Sequence, residues 1–246
     1  ITCRDWSSDV CSSDLMQSKK GRKIWAEFLE HIGKQFDPPN SMDDIAQINS
    51  STKDDIAVIY ADGNSMGKKV RSLDSIEEYK VFSQKVDSSV REATFDALKE
   101  ICDKAKFDII LLGGDDILVV LPARYSANFV IDVSNKFSKL TDGKYSLSFG
   151  ISVAKYNSPF WQMVEQSEEC LKKAKKQYSG EAAVDFHINR SGFCLDIDKD
   201  RKKNYKLNED GQITMRPFLI EEFKKYIDNA KKLKDRSEEH TSELQS

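Results

Sequence analysis

No stretch of this chain is apolar for the roughly 20 residues a membrane-crossing helix needs, so neither a helical span nor a membrane partner is expected. Of its five cysteines, Cys3 and Cys11 fall in an end set aside below, and Cys102, Cys170 and Cys194 lie far apart and form no CxxC pair. That excludes a zinc ribbon or a disulfide framework and suits a reducing, cytoplasmic setting. Histidine is scarce, three residues in all, and neither His31 nor His187 belongs to a ligand pattern. There is no internal repeat and no low-complexity tract.

Charge of one sign is also lacking once the two ends are set aside. Residues 5–15 and 236–246 can be encoded by a single oligonucleotide read on opposite strands, and the string resembles a sequencing adapter carried into an assembled read. Residues 1–15 and 236–246 are therefore excluded from fold reasoning as adapter-derived. They hold Arg4 and Arg236 against Asp5, Asp9, Asp14, Glu238, Glu239 and Glu243, so the net charge of −3 becomes +1 without them. At that value no global polyelectrolyte argument for nucleic acid stands. About 220 residues remain, enough for one solid domain with additions. The expected division is an N-terminal helix and linker over 16–53, a domain over 54–190, and an irregular segment with a helix over 191–235.

What is present is a regular alternation of strand and helix signals. Ile24, Trp25, Phe28, Leu29 and Ile32 recur at helical spacing and predict a helix over 20–35. Residues 41–54 are polar and read as a loop. A first strand is expected over 55–61, then a turn-like segment over 62–67. A long helix follows over 74–104, with Ile76, Tyr79, Phe82, Val86, Val90, Ala93, Ala97 and Ile101 as its apolar stripe. A hairpin over 107–121 comes next, then a helix over 125–140, a strand over 145–156, a helix over 160–178 and a strand over 182–188. From residue 190 the chain reads as irregular until a last helix over 218–234. The central order β-α-β-β-α-β is the split βαβ pattern, an α+β ferredoxin-like fold with flanking helices. In it the first two strands are parallel and the third lies antiparallel between them.

That topology gives two short motifs a common address. Gly113-Gly114-Asp115-Asp116 stands between two apolar runs, at the tip of the expected hairpin. Asp62-Gly63-Asn64-Ser65-Met66-Gly67 follows the first strand. Each motif alone is good turn chemistry, since Gly, Asp and Asn are favoured in turns. Together they place Asp62, Asp115 and Asp116 at one sheet edge. Three carboxylates there suit hard divalent cations, Mg2+ or Mn2+, which prefer oxygen ligands and leave positions for substrate phosphates. Gly63, Gly67, Gly113 and Gly114 allow close approach of backbone to a nucleotide. Asn64 and Ser65 lie in a turn whose N–H groups suit phosphate, though Ser65 serves equally as a cap. In the run Lys172-Lys173-Ala174-Lys175-Lys176 a triphosphate contact competes with the ordinary reading of a solvated helix face. Cys102, Cys170, Trp25 and Trp161 read as packing residues.

These motifs, with Ser148-Phe149-Gly150-Ile151-Ser152-Val153, Ser158-Pro159-Phe160 and Ala174-Lys175 in order behind them, resemble the GGDD second palm domain of the large polymerase-like subunit of type III CRISPR complexes and its stand-alone relatives. The likeness runs over about 54–190. It implies a nucleotidyltransferase that binds ATP with Mg2+ or Mn2+ and joins it into cyclic or linear oligoadenylate second messengers in antiviral defence. By the same likeness Asp62, Asp115 and Asp116 are the metal-binding carboxylates, and Gly113 and Gly114 form the nucleotide-facing turn. Lys175 matches the lysine that reaches the triphosphate. Subunits of an RNA-guided complex are implied as partners. The sequence departs from the full subunit in carrying no HD nuclease motif, no zinc-finger cysteines and no second palm. Asp116, where GGDEF enzymes place Glu, argues against diguanylate cyclase. Because bond formation needs a donor triphosphate and an acceptor hydroxyl face to face, a second palm is expected from a homodimer or from chain beyond the ends. Two other readings stay open: a nucleotide-binding scaffold without turnover, and a cyclase using GTP or another nucleotide.

Overall fold

In the computed structural model the described residues are 19–48, 52–53, 55–189, 196–204, 206–208, 211–212 and 215–243. The chain begins with helix α1 (Lys19–Ile32), a short helix α2 (Met42–Ala46) and two-residue strands β1 (Gln47–Ile48) and β2 (Thr52–Lys53), which pair antiparallel. Then follow β3 (Ile56–Gly63), α3 (Met66–Arg71), α4 (Ile76–Lys99), β4 (Asp108–Gly113), β5 (Asp116–Pro122), α5 (Ala123–Leu140), β6 (Leu147–Ala154), α6 (Phe160–Gln177) and β7 (Ala183–Ile188). Helix α7 (Ile197–Asn204), strands β8 (Lys206–Asn208), β9 (Gly211–Gln212) and β10 (Phe218–Leu219), and helix α8 (Ile220–Glu243) complete it.

Six strands form one sheet in the order β10-β7-β6-β3-β5-β4. β5 pairs antiparallel with both β3 and β4, so β3 and β4 run parallel with β5 between them, as the split βαβ reading requires. β6 lies antiparallel on the other side of β3 and parallel to β7. Helices cover both faces, which explains why β3 and β5 read as unbroken apolar runs rather than alternating ones. Ala57, Ile59 and Ala61 face the larger core with α1, α4 and α5. Ile56 and Val58 face a smaller one with Ile45, Met163 and Val164.

Local chemistry sets the helix positions. Ser75 opens α4 by accepting the Glu78 N–H (3.1 Å), while the Glu78 carboxylate accepts the Asp74 N–H (2.9 Å). This cap satisfies one free amide of the first turn and one just ahead of the helix. Val86, Val90, Ala93 and Ala97 bury one face of α4. Trp25 and Phe28 of α1 stack or meet edge-on with Phe36 and Phe107, and Phe28 also meets Phe95. Burying a side chain such as Phe28 contributes roughly 2–3 kcal/mol. Helix α6 sits directly on β6 because residue 150 is glycine. A Cβ there would lie 1.9 Å from the Ser167 carbonyl oxygen and 2.4 Å from the Leu171 nitrogen.

Four sequence expectations need correcting. Residues 41–54 are not a plain loop but hold α2, β1 and β2. Ile45 and Ala46 anchor α2 by burial against the sheet, with Met42 packed alongside, too short a signal for periodicity. The long helix expected over 74–104 ends at Lys99, with tight turns to Lys104. The segment beyond 190 contains α7, β8 and β9, and β10 pairs with the edge of β7. Helix α7 has Ile197 as its buried apolar residue and is otherwise fastened by charge. Buried Arg201 donates to both carboxylate oxygens of buried Asp185 (2.8 and 2.9 Å) and to the Phe186 carbonyl (2.8 Å). Finally, the last helix, expected over 218–234, begins at Ile220 and runs on to Glu243 as α8.

Candidate functional site

β3 ends at the same sheet edge as the β4–β5 turn. The contact is intimate: a Cβ on Gly63 would lie 2.6 Å from Asp115 Oδ2 and 2.6 Å from Met66. Gly63 is thus the floor on which the Asp115 carboxylate rests. Asp116 is the first residue of β5 and pairs with Gly113, the last of β4. Between them Gly114 adopts φ +63°, a left-handed conformation that glycine takes without strain.

The three acids share one electrostatic field. Burial pushes the Asp115 carboxyl up to about 6, reinforced by the charge of Asp62, a hydrogen bond shared with it, and the charge of Asp116. Asp116 is also raised, first by burial and then by Asp62, against the opposing pull of Lys175 and the Tyr60 hydroxyl. Tyr60 Oη reaches Asp116 Oδ1 at 3.5 Å. Lys175 comes from the far side, on α6. Its ammonium pairs with Asp62 Oδ2 and donates to the Gly63 carbonyl at 2.8 Å. Of the lysine run, Lys172 pairs with Glu168 and Lys173 with Glu169 and Asp198, while Lys175 turns to the acids.

The other expected site residues divide. Asn64 is buried, and its polar atoms are used internally. Its Nδ2 donates to Ser146 Oγ (2.9 Å) and the Glu181 carbonyl (2.7 Å), and its Oδ1 accepts from Ser148 (3.0 Å). Asn64 therefore staples the turn to the ends of β6 and β7. Ser65 sits at the start of α3 with φ +58° and its side chain caps nothing. Open space surrounds the positions where Gly67 and Gly114 would carry a Cβ.

Sequence reasoning missed four polar partners of the site. Tyr60 stands two residues before Asp62 on the same strand face, and strand alternation was the signal for it. Asp87 and Arg91 lie behind the turn on α4. Asp87 Oδ1 accepts the Gly114 N–H at 2.8 Å, and its Oδ2 accepts from Arg91 Nε at 2.9 Å. Arg91 also donates to the Leu112 carbonyl at 3.3 Å and to Glu27 of α1 at 2.8 Å. An Asp–Arg pair four apart on a helix is indistinguishable in sequence from an ordinary surface pair.

Among the described residues no group of three or more His, Cys, Asp or Glu side chains is already arranged as a metal-ligand set. The chemistry of the donors nonetheless fits a hard cation: they are carboxylate oxygens, crowded enough to raise two of their pKa values, with a lysine ammonium as the present counter-charge of Asp62. Nor is any helix among the described residues long and apolar enough to cross a membrane.

Comparison with known proteins finds one family model, "Cas10/Cmr2, second palm domain", over residues 55–184. No curated protein matches. Among solved structures, Csm1 in T. onnurineus is 18% identical, with TM-score 0.53 over 60% of this chain and 24% of that one. A Csm1–Csm4 cassette in complex with AMPPNP is also 18% identical, with TM-score 0.52 over 57% of this chain and 22% of that one. A third, the cassette in complex with cA4, is 19% identical, with TM-score 0.52 over 61% of this chain and 23% of that one. These matches share the fold, and the chain spans about a quarter of the length of each.

Proposed function

Because the chain belongs to the Cas10/Cmr2 second palm family, we propose that it is a metal-dependent nucleotidyltransferase that joins ATP into cyclic or linear oligoadenylates, as a part of a type III CRISPR effector acting in the cytoplasm. The observation that carries this reading is the meeting of Asp115 with Asp62 over Gly63, beside Asp116 and within reach of Lys175. A purely structural palm has no need of three acids at one sheet edge, whereas a site for metal and triphosphate does. Adenine nucleotides are favoured because solved Csm1–Csm4 cassettes hold AMPPNP, pppApA and cA4.

In this reading Asp62, Asp115 and Asp116 hold Mg2+ or Mn2+. The ions would neutralise the triphosphate and make the acceptor hydroxyl a better nucleophile. The chain's own groups position the reactants. Lys175, one helical turn beyond Leu171, exchanges Asp62 for phosphate oxygens. Gly63, Gly113 and Gly114 keep the floor and the turn low, and Ser65 and Gly67 lie in the loop that would border the phosphates. Asn64 acts by holding that loop in shape. The acceptor hydroxyl oxygen forms its bond to the α-phosphorus as the bond to pyrophosphate breaks, and the hydroxyl proton leaves to solvent. One palm supplies one triphosphate site, so the acceptor is presented by a second palm, from another copy or from the rest of a longer chain. CRISPR effector subunits are the proposed assembly partners, since a related structure is the Csm1–Csm4 subcomplex of a type III-A complex.

A second reading, a nucleotide-binding palm without turnover, draws on the Lys175–Asp62 pair, which neutralises one acid without a metal. Incubation with labelled ATP or GTP and Mn2+, followed by product separation, decides between them. The control is the double variant Asp115→Ala, Asp116→Ala. Oligoadenylates from wild type alone support the first reading. Identical products from both proteins end it, metal-dependent binding without turnover supports the second, and product from GTP alone reassigns the base.

A further inference from the structure

The turn carrying Asp115 and Asp116 is held from behind by residues that no motif contains. Gly114 can adopt many conformations, so its observed φ of +63° needs an external constraint. Asp87 supplies one by accepting the Gly114 N–H at 2.8 Å. Arg91 supplies the other by donating to the carbonyl of Leu112, two residues before Gly114, at 3.3 Å. The two side chains are themselves locked together by the 2.9 Å bond from Nε to Asp87 Oδ2. Glu27 Oε2 closes the set by accepting from Arg91 Nη1 at 2.8 Å. Glu27 belongs to α1, outside the family-matched residues 55–184. One residue after the amide anchored by Asp87 stands Asp115, on the floor of Gly63.

We propose that Asp87, Arg91 and Glu27 are positioning residues that clamp the Gly113–Gly114 turn, fixing Asp115 and Asp116 against Asp62 for divalent-metal and nucleotide binding. The proposal rests on the nucleotidyltransferase reading for its consequence, but the clamp itself stands on geometry. A carboxylate that accepts one backbone N–H and one guanidinium N–H makes two charge-assisted bonds. Its loss frees a glycine-rich turn at the spot where sub-ångström placement of ligands matters. The clamp also makes α1 a support of the site, through Glu27.

The test uses the full chain and two readouts: hydrogen exchange of the Gly114 amide, and Mn2+ affinity by titration. Asp87→Ala is expected to speed Gly114 exchange at least about tenfold and to weaken Mn2+ binding by roughly 10- to 100-fold, the usual effect of losing a group that orients a ligand. Asp87→Asn keeps one acceptor oxygen for the Gly114 N–H but sets its NH2 against Arg91 Nε, and is expected to restore only part of the exchange protection. Glu27→Gln, remote from the turn, is expected to shift both in the same direction by a smaller factor, and it serves should Asp87→Ala fold poorly. Unchanged Gly114 exchange in the variants overturns the clamp. Faster exchange with unchanged Mn2+ affinity overturns its positioning role. If the wild type binds no Mn2+ and makes no product, the nucleotidyltransferase reading fails, and with it the positioning role; Gly114 exchange then still decides whether the turn is clamped.

Discussion

Replacing Gly150 by alanine adds one methyl group, yet it is expected to disturb the site about as much as a change in the site itself. The added carbon would lie 1.9 Å from the Ser167 carbonyl oxygen and 2.4 Å from the Leu171 nitrogen. Both obstacles are backbone of α6, so no rotamer change relieves them. Carbon and oxygen need more than 3 Å between them, so α6 must withdraw by roughly 1 Å. Overpacking of this kind costs about 1–3 kcal/mol. For a chain of this size that lowers the melting temperature by roughly 3–10 °C. Lys175 rides on the same helix, and its hold on the Gly63 carbonyl is a 2.8 Å bond. A withdrawal of that size breaks it, and on the proposed nucleotidyltransferase reading turnover of ATP is expected to fall about 10-fold or more, since misplacement of about 1 Å can cost two orders of magnitude. Thermal melting and product formation by the same preparation measure the two effects. A Gly150→Ala protein that melts with the wild type and turns over equally would refute the argument, because α6 would then have room the structure denies it.

Asp108 gives a pH prediction. It is buried on β4 beside Trp25, and burial raises its pKa from 3.8 to about 7. The folded state therefore holds a proton that the unfolded state has released, and stability falls as pH rises from about 4 to 7, by up to roughly 4 kcal/mol. Asp108→Asn is expected to remove most of that slope and to raise the melting temperature at pH 8. Urea midpoints across pH 4–8 check it, and an equal slope in both proteins would count against it. Arg201→Ala leaves Asp185 buried with its charge unpaired and is expected to cost about 3–5 kcal/mol. The double variant Arg201→Met, Asp185→Asn should recover most of that in chemical denaturation, and a double variant no better than the single one speaks against the pair as the cause.

The sequence carried the strands and the site's topology well because both rest on local signals. β3 and β5 are apolar runs bounded by turn residues, and the order of elements alone brings Asp62 to Asp115. Elements held by long-range contacts were invisible. Helix α7 is fastened by Arg201 meeting Asp185, 16 residues apart in the chain, and nothing in its polar sequence announces this. The same holds for Asp87, whose partner Gly114 is 27 residues away. Asn64 illustrates a subtler limit. Its place in the turn was legible, but not that Ser146, Ser148 and Glu181 would turn its polar atoms inward. Lys175 stands out from its run only because the helix phase and the close seat on Gly150 aim one lysine of four at the acids.

The register shift between Ile109 and Leu111 has a consequence for the company this sheet can keep. Among the described residues the two-residue β10 is one edge strand of the sheet, and β4 is the other. An even row of amides and carbonyls there would invite any stray strand to add on. The shift breaks the row's spacing. A strand arriving from a neighbouring subunit or an unfolded chain meets a mismatched ladder and gains little by joining. The shift thus lies on the same strand that ends at Gly113 and carries the Asp115–Asp116 turn.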